Sequence, residues 1–249
     1  MSVQLGQHQV EIQSNRASWE SKPLLRLIYA GFYRKIVGEI DPSLPGQVIE
    51  IGSGIGNLKS SYPQALSTDL FPNPWLDLVC DGYELPFRSG SLSHLILFDV
   101  FHHLEAPHAF FQEAHRALVP KGRLIIFDPF ISWSSFPVYG LLHHEPVAWK
   151  DPINPAPSWP APRHYYAAQG NATRVFFRDE PGPWLHSWIV RRRDALAAFA
   201  YLLSGGFSKP AMYPSAVLGI MNRLDTLLSR WPRLFGGRCL VTLEKASLA

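Results

Sequence analysis

The chain has 249 residues, 47% hydrophobic and 17% charged, a composition typical of a globular protein long enough to bury a full core. Its net charge of +3 is too small to indicate nucleic-acid binding, and its longest basic run, residues 191–193, fits a solvated helix start. Cys80 and Cys239 form neither a disulfide framework nor a metal spacing. Because no leader peptide and no transmembrane segment are visible, we expect a cytoplasmic protein.

Apolar residues at helical spacing come first, over residues 23–40, after a Ser-x-Pro start typical of a helix N-terminus. Short apolar strands then alternate with connecting segments, and a helix is predicted over residues 107–119. Strands of this kind, buried on both faces and joined by helical crossovers, indicate an α/β fold with a parallel sheet. The predicted strands cover residues 48–51, 65–69, 76–81, 92–99, 123–127 and 238–244, and later helices cover 194–203 and about 215–230.

Residues 133–190 interrupt this alternation, since they are crowded with Pro, Trp, His and Tyr and show no sustained periodicity. A structureless loop of that length is unusual in a compact domain, so we expect a functional cap over a binding site. The chain then divides into an N-terminal helical cover (1–46), a ligand-binding core (47–132), the cap (133–190), and C-terminal helices with a last strand that complete the core (191–249).

A glycine-rich turn follows the first strand directly, in the sequence VIEIGSGIGN at residues 48–57. Glycines let the backbone approach a ligand closely, and this turn lies at the carboxyl edge of a doubly wound sheet, where ligands bind. The dinucleotide fingerprint needs its third glycine where this chain has Asn57. Glu50, two residues before the first glycine, would repel a pyrophosphate and suits an ammonium group.

Two further acidic residues end the second and third strands. Asp69 can accept hydrogen bonds from ribose hydroxyls, as carboxylates at this position do in dinucleotide sites. The Asp81 carboxylate can accept from an adenine amino group, and the Gly82 amide can donate to a ring nitrogen. Each of these residues also fits a plain turn, because Asp and Gly favour turns.

Two later motifs, FDVFHHL at 98–104 and LVPKGRL at 118–124, follow the glycine turn and the two acidic residues. With all of these motifs in this order along the chain, residues 47–128 resemble the class I S-adenosylmethionine (SAM)-dependent methyltransferases, and within them the quinone-biosynthesis branch. The resemblance implies a Rossmann-like, doubly wound, mostly parallel seven-stranded sheet with the aromatic and Pro-rich insertion after strand five. The residues that carry it are EIGSGIG at 50–56, Asp69, DGYELPF at 81–87, FDVFHHL at 98–104 and LVPKGRL at 118–124.

The same resemblance implies SAM as the cofactor. Glu50 and the glycine turn would hold its methionine end, Asp69 its ribose, and Asp81 with Gly82 its adenine. Phe98 and Asp99 would lie near the methionine portion and the sulfonium. The implied cofactor-binding residues are Glu50, Gly52, Ser53, Gly54, Gly56, Asp69, Leu70, Asp81, Gly82, Phe98 and Asp99.

Four histidines are candidates for a catalytic base. A hydroxyl acceptor needs a proton acceptor near neutral pH, and histidine is the usual one. His102 and His103 follow strand four, and His143 and His144 begin the cap; each also fits a packed structural histidine. Adjacent histidines without further spaced ligands make a poor metal cluster, so we expect no metal.

The favoured function is therefore O-methylation of a small or lipid- or glycan-related molecule. The expected partner is that apolar or lipid-linked acceptor, with no nucleic acid, and the oligomeric state is left open. An alternative is a catalytically silent SAM-fold module that binds a partner protein through the aromatic insertion. A nicotinamide-dependent reductase is disfavoured by Asn57 and by the lack of a Tyr-x-x-x-Lys pair.

Overall fold

The computed structural model describes residues 2–143, 145–153, 166–177 and 185–246. The strands found there are β1 (Gln47–Ile51), β2 (Leu66–Asp69), β3 (Leu78–Val79), β4 (Leu92–Phe98), β5 (Leu118–Pro129), β6 (Trp188–Ala197) and β7 (Gly236–Lys245). The α-helices are α1 (Ser2–Ser21), α2 (Pro23–Val37), α3 (Pro107–Ala117), α4 (Asn171–Phe176), α5 (Phe199–Leu202), α6 (Leu218–Leu228) and α7 (Pro232–Phe235).

Within the described ranges, the strands form one seven-stranded sheet in the order β3-β2-β1-β4-β5-β7-β6. The pairings from β3 through β5 are parallel, whereas β7 runs antiparallel to both β5 and β6. The α/β fold is confirmed, but the expectation of a mostly parallel sheet is wrong, because the sheet is mixed. The connection from β6 to β7 does not cross the sheet, so β7 starts at the edge where β6 ends and runs back.

Strand β6 contradicts two sequence-based expectations. Residues 194–197, predicted to begin a helix, continue this strand, and the helix that follows is the short α5. The basic run at 191–193 lies in the strand as well, not at a helix start. Arg191 pairs with Glu244 on β7, and Arg192 pairs with Glu39. Pairing with a buried neighbouring strand therefore outweighs the helical spacing of the local sequence.

The two faces of the sheet are covered by the helices that the apolar spacing predicts. On one face, Tyr29 and Ile36 of α2 pack with Phe127 of β5. On the other face, Phe110 and Phe111 of α3 belong to the larger buried cluster. No helix in the described residues is both long and apolar enough to cross a bilayer.

The expected cap is described only in part. Its described residues contain a π-helix, Val138–Leu142, and helix α4. Residue 144 and the ranges 154–165 and 178–184 lie outside the described residues. The division of the chain into cover, core, cap and C-terminal part stays a prediction.

Candidate functional site

The glycine turn after β1 has the backbone conformation that its sequence predicts. Gly52, Gly54 and Gly56 have φ values of 66°, 52° and 72°, in the left-handed region that favours glycine. A Cβ atom at Gly52 would lie 2.5 Å from Cγ2 of Val100, so a side chain does not fit there. At Gly54 the nearest atom to such a Cβ is the Ile12 side chain at 3.9 Å, which leaves room beside the backbone.

Asp69 ties the end of β2 to this turn. Its Oδ2 accepts a hydrogen bond from the Gly54 amide at 3.0 Å, and its Oδ1 accepts from the Phe71 amide at 3.4 Å. The neighbouring Leu70 is partly exposed. Ser53 stays inside, where its hydroxyl donates to the Glu50 carbonyl at 3.2 Å.

Two residues that sequence reasoning missed also hold the turn. Trp75 Nε1 donates to the Gly54 carbonyl at 2.8 Å, and Asn73 Nδ2 donates to the same oxygen at 3.2 Å. Arg16 of α1 lies over the Trp75 ring, 5.1 Å from its centroid. No motif in the sequence marks these contacts, because they join a loop to a turn and a helix that are distant along the chain.

Glu50 places a buried carboxyl group beside the turn. The residue is 3% exposed, and its Oε2 atom has no hydrogen-bond partner among the described residues. Burial raises the pKa of Glu50 to about 8, with Asp69 adding to the rise while a hydrogen bond from Ser53 opposes it. A cationic ligand group would supply the missing partner and favour the ionised carboxylate.

Asp81 and Gly82 lie near the same edge of the sheet. The Asp81 carboxylate accepts from the Tyr83 amide at 2.9 Å, which is the turn geometry that Asp favours. A Cβ atom at Gly82 would lie 3.7 Å from Cγ2 of Ile51, so this loop passes beside the end of β1. Since β1, β2 and β3 are parallel neighbours, Glu50, Asp69 and Asp81 are brought to one edge rather than to different faces.

Phe98 and Asp99 differ in their surroundings. Phe98 is buried and stacks on Tyr29 with ring centroids 5.1 Å apart, so its ring is part of the core. Asp99 has φ 56°, an uncommon value for a non-glycine residue, and its Oδ1 forms an ion pair with Arg238. The predicted role of either residue near a sulfonium stays a prediction.

Arg238, which sequence reasoning missed, is 2% exposed. Its guanidinium lies 4.4 Å from the centroid of the Tyr201 ring and 5.9 Å from that of Phe32. A signal was available in the sequence, because a charged residue in an otherwise apolar buried strand requires a partner.

His102 is buried between two carboxylates. Its Nδ1 lies 3.0 Å from Asp128 Oδ1, and its Nε2 lies 3.4 Å from Glu145 Oε2. Burial lowers the pKa of His102, but the two carboxylates outweigh that effect and raise it to about 10. Sequence reasoning did not assign Asp128 a role, although it lies near the carboxyl end of β5 on the ligand side of the sheet.

His103 and His143 contact the same carboxylate. His103 Nδ1 donates to the Tyr166 carbonyl at 3.0 Å, and its Nε2 lies 3.7 Å from Glu145 Oε1. Burial, with the neighbouring His102, lowers the pKa of His103 to about 4. His143 Nδ1 accepts from the Glu145 amide at 3.2 Å. We call His102, His103 and Glu145 the histidine cluster; His144 lies outside the described residues.

Comparison with known proteins finds one matching family and several solved structures of similar fold. Residues 50–126 match the family described as "Methyltransferase domain". Over this range, which is less than half of the chain, the sequence is similar to methyltransferase domains. The matched range includes the glycine turn, Asp69, Asp81 and the His102–His103 pair, and it confirms SAM as the expected cofactor. No curated protein matches the chain, and the expected quinone-biosynthesis branch stays a prediction.

Two solved structures have a similar fold over most of this chain. One is from the complex of the Haloferax volcanii Trm112 methyltransferase activator with a methyltransferase, with TM-score 0.54, 15% identity, and coverage of 97% of this chain and 96% of that chain. The other is geranyl diphosphate C-methyltransferase from Streptomyces coelicolor A3(2), with TM-score 0.52, 12% identity, and coverage of 89% and 80%. At these identities the likeness shows the fold alone.

Proposed function

We propose that the chain transfers a methyl group from SAM to a hydroxyl group of a small, apolar, lipid- or glycan-related molecule. The observation that carries the donor side is Glu50, a buried carboxyl group with an unpartnered oxygen beside the glycine turn. An ammonium group is the chemical complement of that oxygen, and the methionine end of SAM has one. The Streptomyces coelicolor enzyme, which shares the fold, was solved with S-adenosyl-L-homocysteine.

Residues at the ends of three strands would each bind a different part of SAM. Glu50 would hold the ammonium group, while the open side of Gly54 would let the backbone approach the ligand. Asp69 already fixes the turn through the Gly54 amide, and its carboxylate would also accept from the ribose hydroxyls. Asp81 and Gly82 would bind the adenine. SAM itself supplies a methyl group on a sulfonium, so the protein has mainly to position the acceptor in line.

The acceptor would lie at the same carboxyl edge, toward β4 and β5. A hydroxyl group must lose its proton, and the histidine cluster offers nitrogen and carboxylate atoms there. In the described part of the cap, Trp133 is 80% exposed and Phe136 is 49% exposed. Exposed aromatic side chains in the cap favour an apolar acceptor.

The same exposed aromatic residues favour a second candidate, a silent SAM-binding module that docks a partner protein through the cap. The two functions differ in turnover. A module binds SAM without methylating any acceptor, and it loses its partner when Trp133 and Phe136 are replaced by Ser.

Two measurements test the proposal. Isothermal titration should show binding of SAM or S-adenosyl-L-homocysteine to the purified chain, weakened in Glu50→Gln. Incubation of a cell extract with the protein and isotopically labelled SAM, followed by mass spectrometry, should then reveal a labelled methylated small molecule. Absence of donor binding by the folded protein overturns both functions, and donor binding without any labelled product favours the module.

A further inference from the structure

The ligand atoms of the histidine cluster lie close enough together to surround one ion. The nearest ligand atoms of His102, His103 and Glu145 all lie within 4.8 Å of one another. The two Nε2-to-carboxylate separations are 3.4 Å and 3.7 Å. Both exceed the roughly 2.7–3.2 Å of an N–H···O hydrogen bond. They are close to the separation, about 3.3–3.5 Å, of two nitrogen or oxygen ligands on one tetrahedral zinc ion.

The orientation of both imidazole rings leaves Nε2 facing the centre of the cluster. His102 Nδ1 faces Asp128 Oδ1 at 3.0 Å. His103 Nδ1 faces the Tyr166 carbonyl at 3.0 Å, and because a carbonyl oxygen only accepts, this Nδ1 carries the hydrogen. His103 therefore presents an Nε2 lone pair to Glu145. A carboxylate or a carbonyl behind the far nitrogen is the usual way in which proteins orient metal-binding histidines.

The carboxylate of the cluster is oriented in the same manner. Gln169 Nε2 donates a hydrogen bond to Glu145 Oε2. Gln169 is itself buried, so this contact helps to fix the position of the carboxylate. Each of the three ligating residues thus has a partner that holds it in place.

The surroundings of the cluster contain buried carboxyl groups and buried acceptor atoms that lack a hydrogen-bond partner. Asp128 is fully buried and Glu145 is 6% exposed, so two carboxyl groups lie in a small volume. Asp128 Oδ2 and Gln169 Oε1 are buried without a hydrogen-bond partner in the described part of the chain. One divalent cation, bound at His102 Nε2 in place of the proton that the two carboxylates favour there, would compensate the charge of both carboxylates.

From these contacts we propose that His102, His103 and Glu145 bind one divalent first-row transition-metal ion of the Zn²⁺ type. Two imidazoles and one carboxylate are a ligand set that catalytic zinc sites use, with a further position left open for water or substrate. The His103 side chain is 30% exposed, so the open position would face solvent. The proposal departs from the sequence-based expectation of no metal, because the third ligand comes from a distant loop.

The position of the site gives the ion a use. The cluster lies at the carboxyl ends of β4 and β5, on the edge that also carries the glycine turn. A hydroxyl oxygen in the open position would be polarised and lose its proton more readily. This use rests on the proposed methyl transfer, whereas metal binding does not.

The test titrates the metal-free 249-residue chain with Co²⁺, monitored by visible absorption, and with Zn²⁺, monitored by calorimetry. We expect one ion per chain and the intense visible bands of a low-coordinate Co²⁺ site. His103→Ala and Glu145→Gln should each weaken Zn²⁺ binding at least tenfold. His186→Ala, which removes an exposed histidine elsewhere, should leave the affinity unchanged.

Two further measurements keep the test decisive if a ligand variant fails to fold. Asp128→Asn removes no ligand but should weaken Zn²⁺ binding about tenfold or more, because it releases His102. In the unaltered chain, Co²⁺ should shift the imidazole proton signals of two histidines. The proposal is overturned by a folded chain that binds no ion, or by histidine signals that Co²⁺ leaves in place. SAM binding is measured on the same metal-free sample. A sample that binds SAM but no ion contradicts the metal site alone, whereas a sample that binds no SAM contradicts the proposed function.

Discussion

Asp99 and Arg238 form an ion pair that joins the end of β4 to the beginning of β7. Arg238 is buried beneath the Tyr201 ring, and the Asp99 side chain is 29% exposed. The carboxylate that the sequence predicts near the sulfonium is therefore held by a side chain of the last strand. The final strand thus shapes the edge of the sheet where the donor is expected to bind.

Replacing Arg238 by Met should lower the free energy of unfolding by about 1–3 kcal/mol, because the partly buried Asp99 loses the cation that compensates it. Urea denaturation monitored by circular dichroism measures the change. Arg230→Met is the control, because Arg230 is exposed, and its effect should stay within about 0.5 kcal/mol. Equal stabilities of the two variants would show that the ion pair contributes nothing.

Glu50 should make the ligand-free protein less stable as the pH rises. Burial raises the pKa of Glu50 from 4.5 to about 8, so between these values the native state holds a proton that the unfolded chain has released. The native state binds more protons in this window, and stability therefore falls with increasing pH. Melting temperatures from pH 5 to 9 should decline more steeply for the unaltered chain than for Glu50→Gln. Parallel curves would contradict the assigned shift.

The local patterns predicted the parts of the molecule that depend on local sequence. Apolar spacing gave α2 and α3, and the glycine pattern gave the turn after β1. Local patterns did not predict the contacts between segments that are distant in sequence. Glu145 is distant from His102 in sequence, and only the fold brings the two side chains into contact. Residues of β6 form a strand because they pair along β7. A sequence pattern reports a residue's own neighbourhood, whereas these features depend on what the sheet brings together.

Asp69→Ala should weaken binding of S-adenosyl-L-homocysteine at least tenfold, or by about 1.4 kcal/mol. The substitution removes a proposed ribose acceptor and also releases the Gly54 amide. Asp41→Ala is the matched control, because Asp41 precedes β1 at the opposite edge of the sheet and pairs with Arg123. Isothermal titration compares the two. Similar losses in both variants would mean that general destabilisation, rather than the site, sets the affinity.

Gly54→Ala should separate backbone strain from ligand binding. Gly54 and Gly90 have similar φ values, 52° and 63°, and a Cβ atom at either position meets no protein atom closer than 3.9 Å. Alanine at either position should therefore cost a similar free energy of unfolding, about 1–2 kcal/mol for the left-handed conformation.

Only Gly54→Ala should also lose donor affinity, because its new methyl group would occupy the space that the backbone offers to the ligand. Thermal unfolding with and without S-adenosyl-L-homocysteine measures both effects in one experiment. The ligand should raise the melting temperature of Gly90→Ala as it does that of the unaltered chain, and raise that of Gly54→Ala much less. Equal ligand-induced shifts in the two variants would place the donor away from the glycine turn.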